Sequence, residues 1–396
     1  MTSPSISTED GHEIQWFDTG QKFLSSQLEA IRQARQSVRL EQYIYAASVI
    51  GDEFRTALTE AARRGVKVVV MLDALGSRAL RSHYFQETEA AGGKLVWFNP
   101  LRWRLLSFRD HRKLMIADEE LAFVGGCNIA EEYAGDGMTH GWRDGGISIR
   151  GSVVQSLVEA FDGQVERAGQ SIWKVRKKAF SGWIEPGQKV AVLLERPGLR
   201  QRSFQIMLRR DLRGAKDVAI TAAYFLPGGK LRRAMLRTAH RAKHFRLLVP
   251  AHSDVPVLQV ATRSLYRRFL KRGAAIFEYQ PQNLHAKVIV IDDIVYIGSA
   301  NLDPRSLVIN FEVVLRIQSP ALAEAARNTF ERDLEHSLPV TKDHVERRRS
   351  WWTRLKQRLS FWVFCRLDLT VAQLLQRRAE VKGKDAVKKP SPAAQA

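Results

Sequence analysis

Cysteine is nearly missing from this chain of 396 residues: Cys127 and Cys365 are the only two, which excludes a disulfide framework and suits a reducing compartment. No run reaches about 18 consecutive apolar residues, so no membrane-spanning helix is expected. The polar start, MTSPSISTEDGHEIQ, lacks the basic-then-apolar order of a signal peptide. Neither a Cys/His cluster of zinc spacing nor a Walker-type phosphate loop occurs, so no metal and no cofactor are expected. Negative charge is scarce too, with 42 Asp and Glu against 62 Lys and Arg. The formal net charge of +20 calls for an anionic partner, nucleic acid or an anionic membrane surface. Residues 341–396 alone carry 14 Lys and Arg against 5 Asp and Glu.

What is present beyond chance is one polar pattern written twice, 174 residues apart. The first copy is His111, Lys113 and Asp118, followed by Gly125 and Asn128; the second is His285, Lys287 and Asp292, followed by Gly298, Ser299 and Asn301. Two such matches are expected on the order of once in several thousand sequences of this composition. The order of elements repeats as well. In the first half helices are expected over residues 21–34, 52–64 and 82–91, with strands over 37–45, 66–72 and 94–98. In the second half helices are expected over 203–214, 230–241 and 257–272, with strands over 218–223, 245–249 and 274–278. Strands alternating with helices predict an α/β fold with a mainly parallel sheet, duplicated about a pseudo-twofold axis.

The expected organisation is a disordered start over 1–13, a first half over 14–168, a basic linker over 169–188 and a second half over 189–339. Basic amphipathic helices over 340–380 and a disordered tail over 381–396 complete it. Within 347–367, Trp351, Trp352, Leu355, Leu359, Trp362 and Val363 gather within about 120° on a helical wheel. Bases lie outside that arc, the pattern of a helix resting on an anionic membrane. Arg102, Trp103, Arg104 and Phe108, and residues 173–183, are further candidate membrane-facing patches.

His and Lys at i and i+2 on a strand share one face. That juxtaposition makes sense around a phosphate: Lys neutralises its oxygens while a neutral His attacks phosphorus. Two histidines can divide the work, one forming a covalent phosphohistidine and the other moving protons on the alcohols. Two Lys and two Asn, Asn128 and Asn301, with Ser299, can hold the phosphate charge without a metal. Asp118 and Asp292 complete the motifs, but at the ends of their runs they read better as turn acceptors than as catalytic groups. Asp144, 33 residues after His111, and Glu312, 27 residues after His285, each open a strand-like run in the equivalent place. They are assigned as the acceptors that orient the histidines.

The twin motifs, with GGCN and GSAN behind them, resemble the phospholipase D superfamily. LEQYIYA (40–46), RRGVKVVVMLD (63–73), FRDHRKLMIAD (108–118) and IGSANLDPRS (297–306) look like the bacterial cardiolipin synthases without N-terminal membrane helices. The resemblance covers roughly residues 14–338. It implies two phospholipase D-like α/β/α sandwich halves sharing one composite active site, so that a monomer suffices. It implies His111, Lys113, Asp118, His285, Lys287 and Asp292 as the catalytic set, with His111 the nucleophile and His285 the general acid/base. Gly126 departs from its counterpart Ser299, removing a hydroxyl expected at the phosphate. Five residues between Asp292 and Gly298, against six between Asp118 and Gly125, predict a tighter hairpin in the second copy. The activity expected is transfer of a phosphatidyl group from phosphatidylglycerol or another phospholipid to make cardiolipin, on the cytoplasmic face of a bacterial inner membrane. Hydrolysis or nuclease chemistry are the alternatives, and a non-catalytic binding role a remoter one; the apolar C-terminal stripe argues against nucleic acid.

Overall fold

The computed structural model describes residues 5–99, 108–168, 188–197 and 202–343. Arg102, Trp103 and Arg104, residues 173–183, and the basic helices and tail expected after residue 343 lie outside the described residues, as does most of the linker.

The first half runs β1 (Ser5–Ser7), β2 (Glu13–Phe17), α1 (Gly20–Gln33), β3 (Ser37–Gln42), α2 (Val49–Arg63), β4 (Lys67–Asp73), α3 (Gln86–Ala90) and β5 (Lys94–Phe98). Then come β6 (Leu114–Ala117), β7 (Leu121–Gly125), β8 (Gly146–Arg150) and α4 (Val153–Ala168). The second runs β9 (Val190–Glu195), α5 (Ser203–Asp211), β10 (Asp217–Ala222), α6 (Gly229–Arg241), β11 (His244–Pro250), α7 (Pro256–Leu270) and β12 (Ala275–Tyr279). It closes with β13 (Lys287–Ile291), β14 (Ile294–Gly298), α8 (Pro304–Val308), β15 (Glu312–Gln318), α9 (Pro320–Glu335) and β16 (Ser337–Pro339).

Two sheets of eight strands result, in the orders β1-β2-β8-β7-β6-β3-β4-β5 and β16-β12-β11-β10-β13-β14-β15-β9. Without the edge strands β1 and β16, each order is the other read backwards, so the duplication expected from the sequence is present in space. The expectation of a mainly parallel sheet is corrected. Among the strands of the described residues only β3–β4, β4–β5, β10–β11 and β11–β12 pair parallel. The motif runs fold straight back as hairpins, and these bring in antiparallel neighbours. The second hairpin is the tighter: Ile291 pairs with Ile294, whereas Ala117 pairs with Leu121. Residues 1–13 are not wholly disordered either, since Ser5–Ser7 pairs antiparallel with β2.

Local chemistry explains where the elements begin. Thr19 and Ser48 accept from backbone N–H groups in the first turns of α1 and α2, and Ser319 does so for α9. The strand expected over 37–45 stops at Gln42, where the chain leaves the sheet and carries Tyr43 to the site. Helices α1 and α2 bury Phe23, Leu28, Ile31, Phe54 and Leu58 against one face of the first sheet. Helices α5, α6 and α7 bury Leu208, Met235, Leu265 and Phe269 against the second. A third core lies between the halves, where α4 and α9 meet both sheets. Leu114, Ile147, Leu157 and Phe161 there join Val290, Leu315, Leu322 and Phe330. The halves therefore share a hydrophobic centre, and the strand ends that carry the motifs face each other across it.

Candidate active site

Backbone pairing across the halves sets the site. The residue before each histidine bridges the residue before the other half's carboxylate: Asp110 with Phe311, and Arg143 with Leu284. The N–H of His111 donates to Phe311 O at 3.0 Å, and that of His285 to Arg143 O at 2.8 Å. Hence His111 faces Glu312, with Nδ1 3.0 Å from Oε1, and His285 faces Asp144, with Nδ1 2.6 Å from Oδ2. The carboxylates assigned from spacing are the orienting groups of the structure, but exchanged. Counting along each half attaches Asp144 to His111 and Glu312 to His285; the fold pairs each with the histidine of the opposite half.

Lys113 donates to His111 O at 2.8 Å, and Lys287 donates to His285 O. Lys287 Nζ also lies 2.8 and 3.3 Å from the two ring nitrogens of His285. It rests against the ring, and the single Nδ1 proton goes to the shorter bond with Asp144. Burial, then Lys113, Lys287 and Arg305, hold His111 well below the ordinary histidine value. Burial and Lys287 push His285 down to about 4, against the pull of Asp144. Each lysine thus acts on both histidines, as expected of one shared site. Burial lowers Lys113 to about 7. The two carboxylates differ. Burial would raise Asp144, but Lys287 and His285 outweigh it and hold it ionised; burial raises Glu312 to about 7, with Lys113 and the hydroxyl of Ser299 opposing.

The asymmetry of the motifs has a steric reason. A Cβ on Gly126 would lie 2.4 Å from Asp144 Oδ1 and 2.5 Å from Oδ2, so only glycine lets that carboxylate reach His285. At the matching place Ser299 Oγ donates to Glu312 Oε2 at 2.5 Å. The hydroxyl expected at the phosphate is therefore engaged by the carboxylate behind His111. Asn128 is engaged as well: its Oδ1 accepts from Ile44 N at 3.2 Å and its Nδ2 donates to Tyr133 Oη at 2.8 Å. Tyr133 Oη in turn lies 3.5 Å from His285 Nε2. Asn301 keeps a buried Oδ1 without a hydrogen-bond partner among the described residues.

Asp118 and Asp292 are not brought to the site. They sit at positive φ in the far turns of the motif hairpins, at 54° and 47°. Asp118 accepts from the N–H groups of Arg35, Gln36 and Ser37, and Asp292 from those of Lys216 and Asp217. Each ties its hairpin to the loop entering the neighbouring strand, which corrects their place in the catalytic set. Asp118→Asn is expected to lower stability by about 1 kcal/mol in a denaturant melt. kcat/KM should stay within about threefold of wild type, the usual reach of a remote surface change.

Sequence reasoning missed the aromatic walls. Tyr43 lies with its ring centroid 4.8 Å from that of His111, and the ammonium of Lys113 is 5.2 Å from it. Tyr133, Trp142 and Tyr224 surround His285 at 5.1, 5.4 and 6.5 Å. Tyr43 directly follows β3 and Tyr224 lies two residues past the end of β10, so an aromatic just beyond a parallel strand was the available signal.

Compared with known proteins, residues 28–136 and 208–334 match the family described as "Cardiolipin synthase, PLD-like domain". Cardiolipin synthase B of Salmonella typhimurium is 32% identical over 365 residues, 89% of this chain and 87% of that one. Cardiolipin synthase 1 of Bacillus cereus is 30% identical, covering 83% of this chain and 68% of that one. Among solved structures, the phosphatidylserine synthase of Haemophilus influenzae aligns with a TM-score of 0.68 at 14% identity, over 98% of this chain and 97% of that one; this likeness bears on fold alone.

Proposed function

The chain belongs to the cardiolipin synthase family with PLD-like domains, and on that footing we propose that it is a phosphatidyltransferase making cardiolipin from phosphatidylglycerol through a phosphatidyl-histidine. The observation that carries the reading is the crossed pair, two His/Lys sets close enough for each lysine to act on both histidines, with each imidazole held by the other half's carboxylate.

The donor's phosphate sits between Lys113 and Lys287. Burial and then the lysines depress both histidines; the phosphate's negative charge opposes both, so His285 can enter the reaction protonated. His111 Nε2 forms a bond to phosphorus as the P–O bond to the headgroup breaks. His285 gives its proton to the leaving oxygen and is left neutral. It then takes the proton of an incoming lipid hydroxyl, whose oxygen bonds to phosphorus as the N–P bond breaks. One phosphodiester is exchanged for another, so no nucleotide need drive the reaction. Asp144 and Glu312 keep Nδ1 protonated and leave Nε2 as the reacting atom. Asn301, whose Oδ1 has no hydrogen-bond partner among the described residues, is available to accept from the acceptor's hydroxyls. Among the described residues no helix is long and apolar enough to cross a membrane. The reading has the protein lie peripherally on the cytoplasmic membrane face, held by its basic charge.

The test is mass spectrometry of products from phosphatidylglycerol vesicles, with a parallel DNA digestion. Cardiolipin with one glycerol released per turnover is expected. Phosphatidic acid alone would make water the acceptor and the protein a hydrolase. DNA cleavage dependent on the histidines, with no lipid product, would overturn the lipid assignment.

A further inference from the structure

Glu195 ends β9 and has no part in the chemistry above, yet it is only 1% exposed. In the antiparallel ladder of β9 and β15 its register partner is Glu312. Residues directly opposite in such a ladder project to one face, with Cβ atoms about 4.5–5.5 Å apart. A second buried carboxyl therefore stands beside the one that holds His111. One oxygen of Glu195 accepts from Phe204 N at 2.8 Å, at the start of α5. The other, Oε2, is buried with no hydrogen-bond partner among the described residues.

A helix start needs only an acceptor. Extending the β2–β8 register by two residues puts Thr19 opposite Asp144, and there a hydroxyl suffices, accepting from Lys22 N at 3.3 Å. A buried carboxyl at the matching place in the second half is more than the fold requires.

We propose that Glu195 is a positioning residue for the His111 half of the reaction: by opposing a second charge beside it, Glu195 sets the pH at which Glu312 ionises and locks His111 in its attacking tautomer. The inference rests on the reading of His111 as nucleophile. Nε2 attacks only while Nδ1 keeps its proton, and an ionised Glu312 holds it there. Two adjacent buried carboxyls resist ionising together. Burial raises both to about 7; Phe204 N–H and Arg202 oppose it at Glu195, where Glu312 adds to it, and Lys113 with Ser299, Ser306 and Asn310 opposes it at Glu312. Lys287, Asp303 and Tyr43 also lie within the field of Glu312.

The experiment follows kcat/KM against pH with bis(p-nitrophenyl) phosphate for wild type, Glu195→Gln and Glu195→Asp, with the buried-carboxyl band titrated by infrared spectroscopy. Both replacements keep an oxygen for Phe204 N–H. The ascending limb should move about one pH unit lower in Glu195→Gln, the size expected on removing a neighbouring like charge, and stay in place in Glu195→Asp. An unmoved limb in Glu195→Gln, or equal movement in both, would reduce Glu195 to a helix-start acceptor. The infrared titration reads Glu312 without turnover, so an inactive wild type would sink the nucleophile reading while the coupling of Glu195 to Glu312 is still decided. Should Glu195→Gln not fold, Glu312→Gln must lower the titration of Glu195 by the same coupling, and failure to do so overturns the proposal.

Discussion

His111→Ala is expected to cost at least about 10⁴-fold in kcat, the scale seen when a covalent nucleophile is removed. Loss of the ring removes the only bond-forming atom and leaves Lys113 and Lys287 able to bind phosphate, so lipid binding should survive. His285→Ala should cost about 10²- to 10⁴-fold, the range for a lost general acid, and the loss should depend on the leaving group. Towards bis(p-nitrophenyl) phosphate, whose leaving group needs no proton, the first step of His285→Ala should recover and a phosphorylated His111 should accumulate. Mass spectrometry of the trapped protein reads this directly. Trapping on His285 in the His111→Ala variant would reverse the two roles.

The second large effect is expected behind His285. Asp144→Asn keeps the shape but presents an amide to Nδ1, which permits the wrong tautomer, and should lower kcat by about 10²- to 10⁴-fold. Gly126→Ala should reproduce that loss with Asp144 intact, because the added Cβ would fall 2.4 Å from its carboxylate oxygen. The two changes meet at one hydrogen bond, so the double variant should cost little more than either alone. Full additivity in that cycle would show that Gly126 serves something other than Asp144. Glu312→Gln should cost less than Asp144→Asn near neutral pH, since burial raises Glu312 to about 7 and already leaves it partly protonated.

Much of this was legible in the chain. The repeat of His111, Lys113, Asp118 and Asn128 in His285, Lys287, Asp292 and Asn301 announced duplication and phosphate chemistry, because few residue pairs put a nucleophile beside a cation without a reason. The helices and parallel strands could be read within a few residues from their apolar periodicity. The antiparallel character of the sheets could not, since a hairpin strand and a parallel strand buried on both faces carry the same Val- and Ile-rich run. The bonds that Ser299 and Asn128 make within the fold were not legible for a related cause: a polar side chain next to a motif announces that it will bond something, and not what.

The sequence by itself determined the duplication and pointed to the two His/Lys pairs and to the two carboxylates that lie against the histidines, because these are matters of residue type and spacing. Only the tertiary structure decided which carboxylate serves which histidine. Asp144 and His285 are 141 residues apart, Glu312 and His111 are 201 apart, and no local pattern reaches that far. What joins them is a shared apolar centre that turns two identical edges to face each other. Facing edges exchange partners, and a site that looks like two copies in the chain becomes one shared site in space.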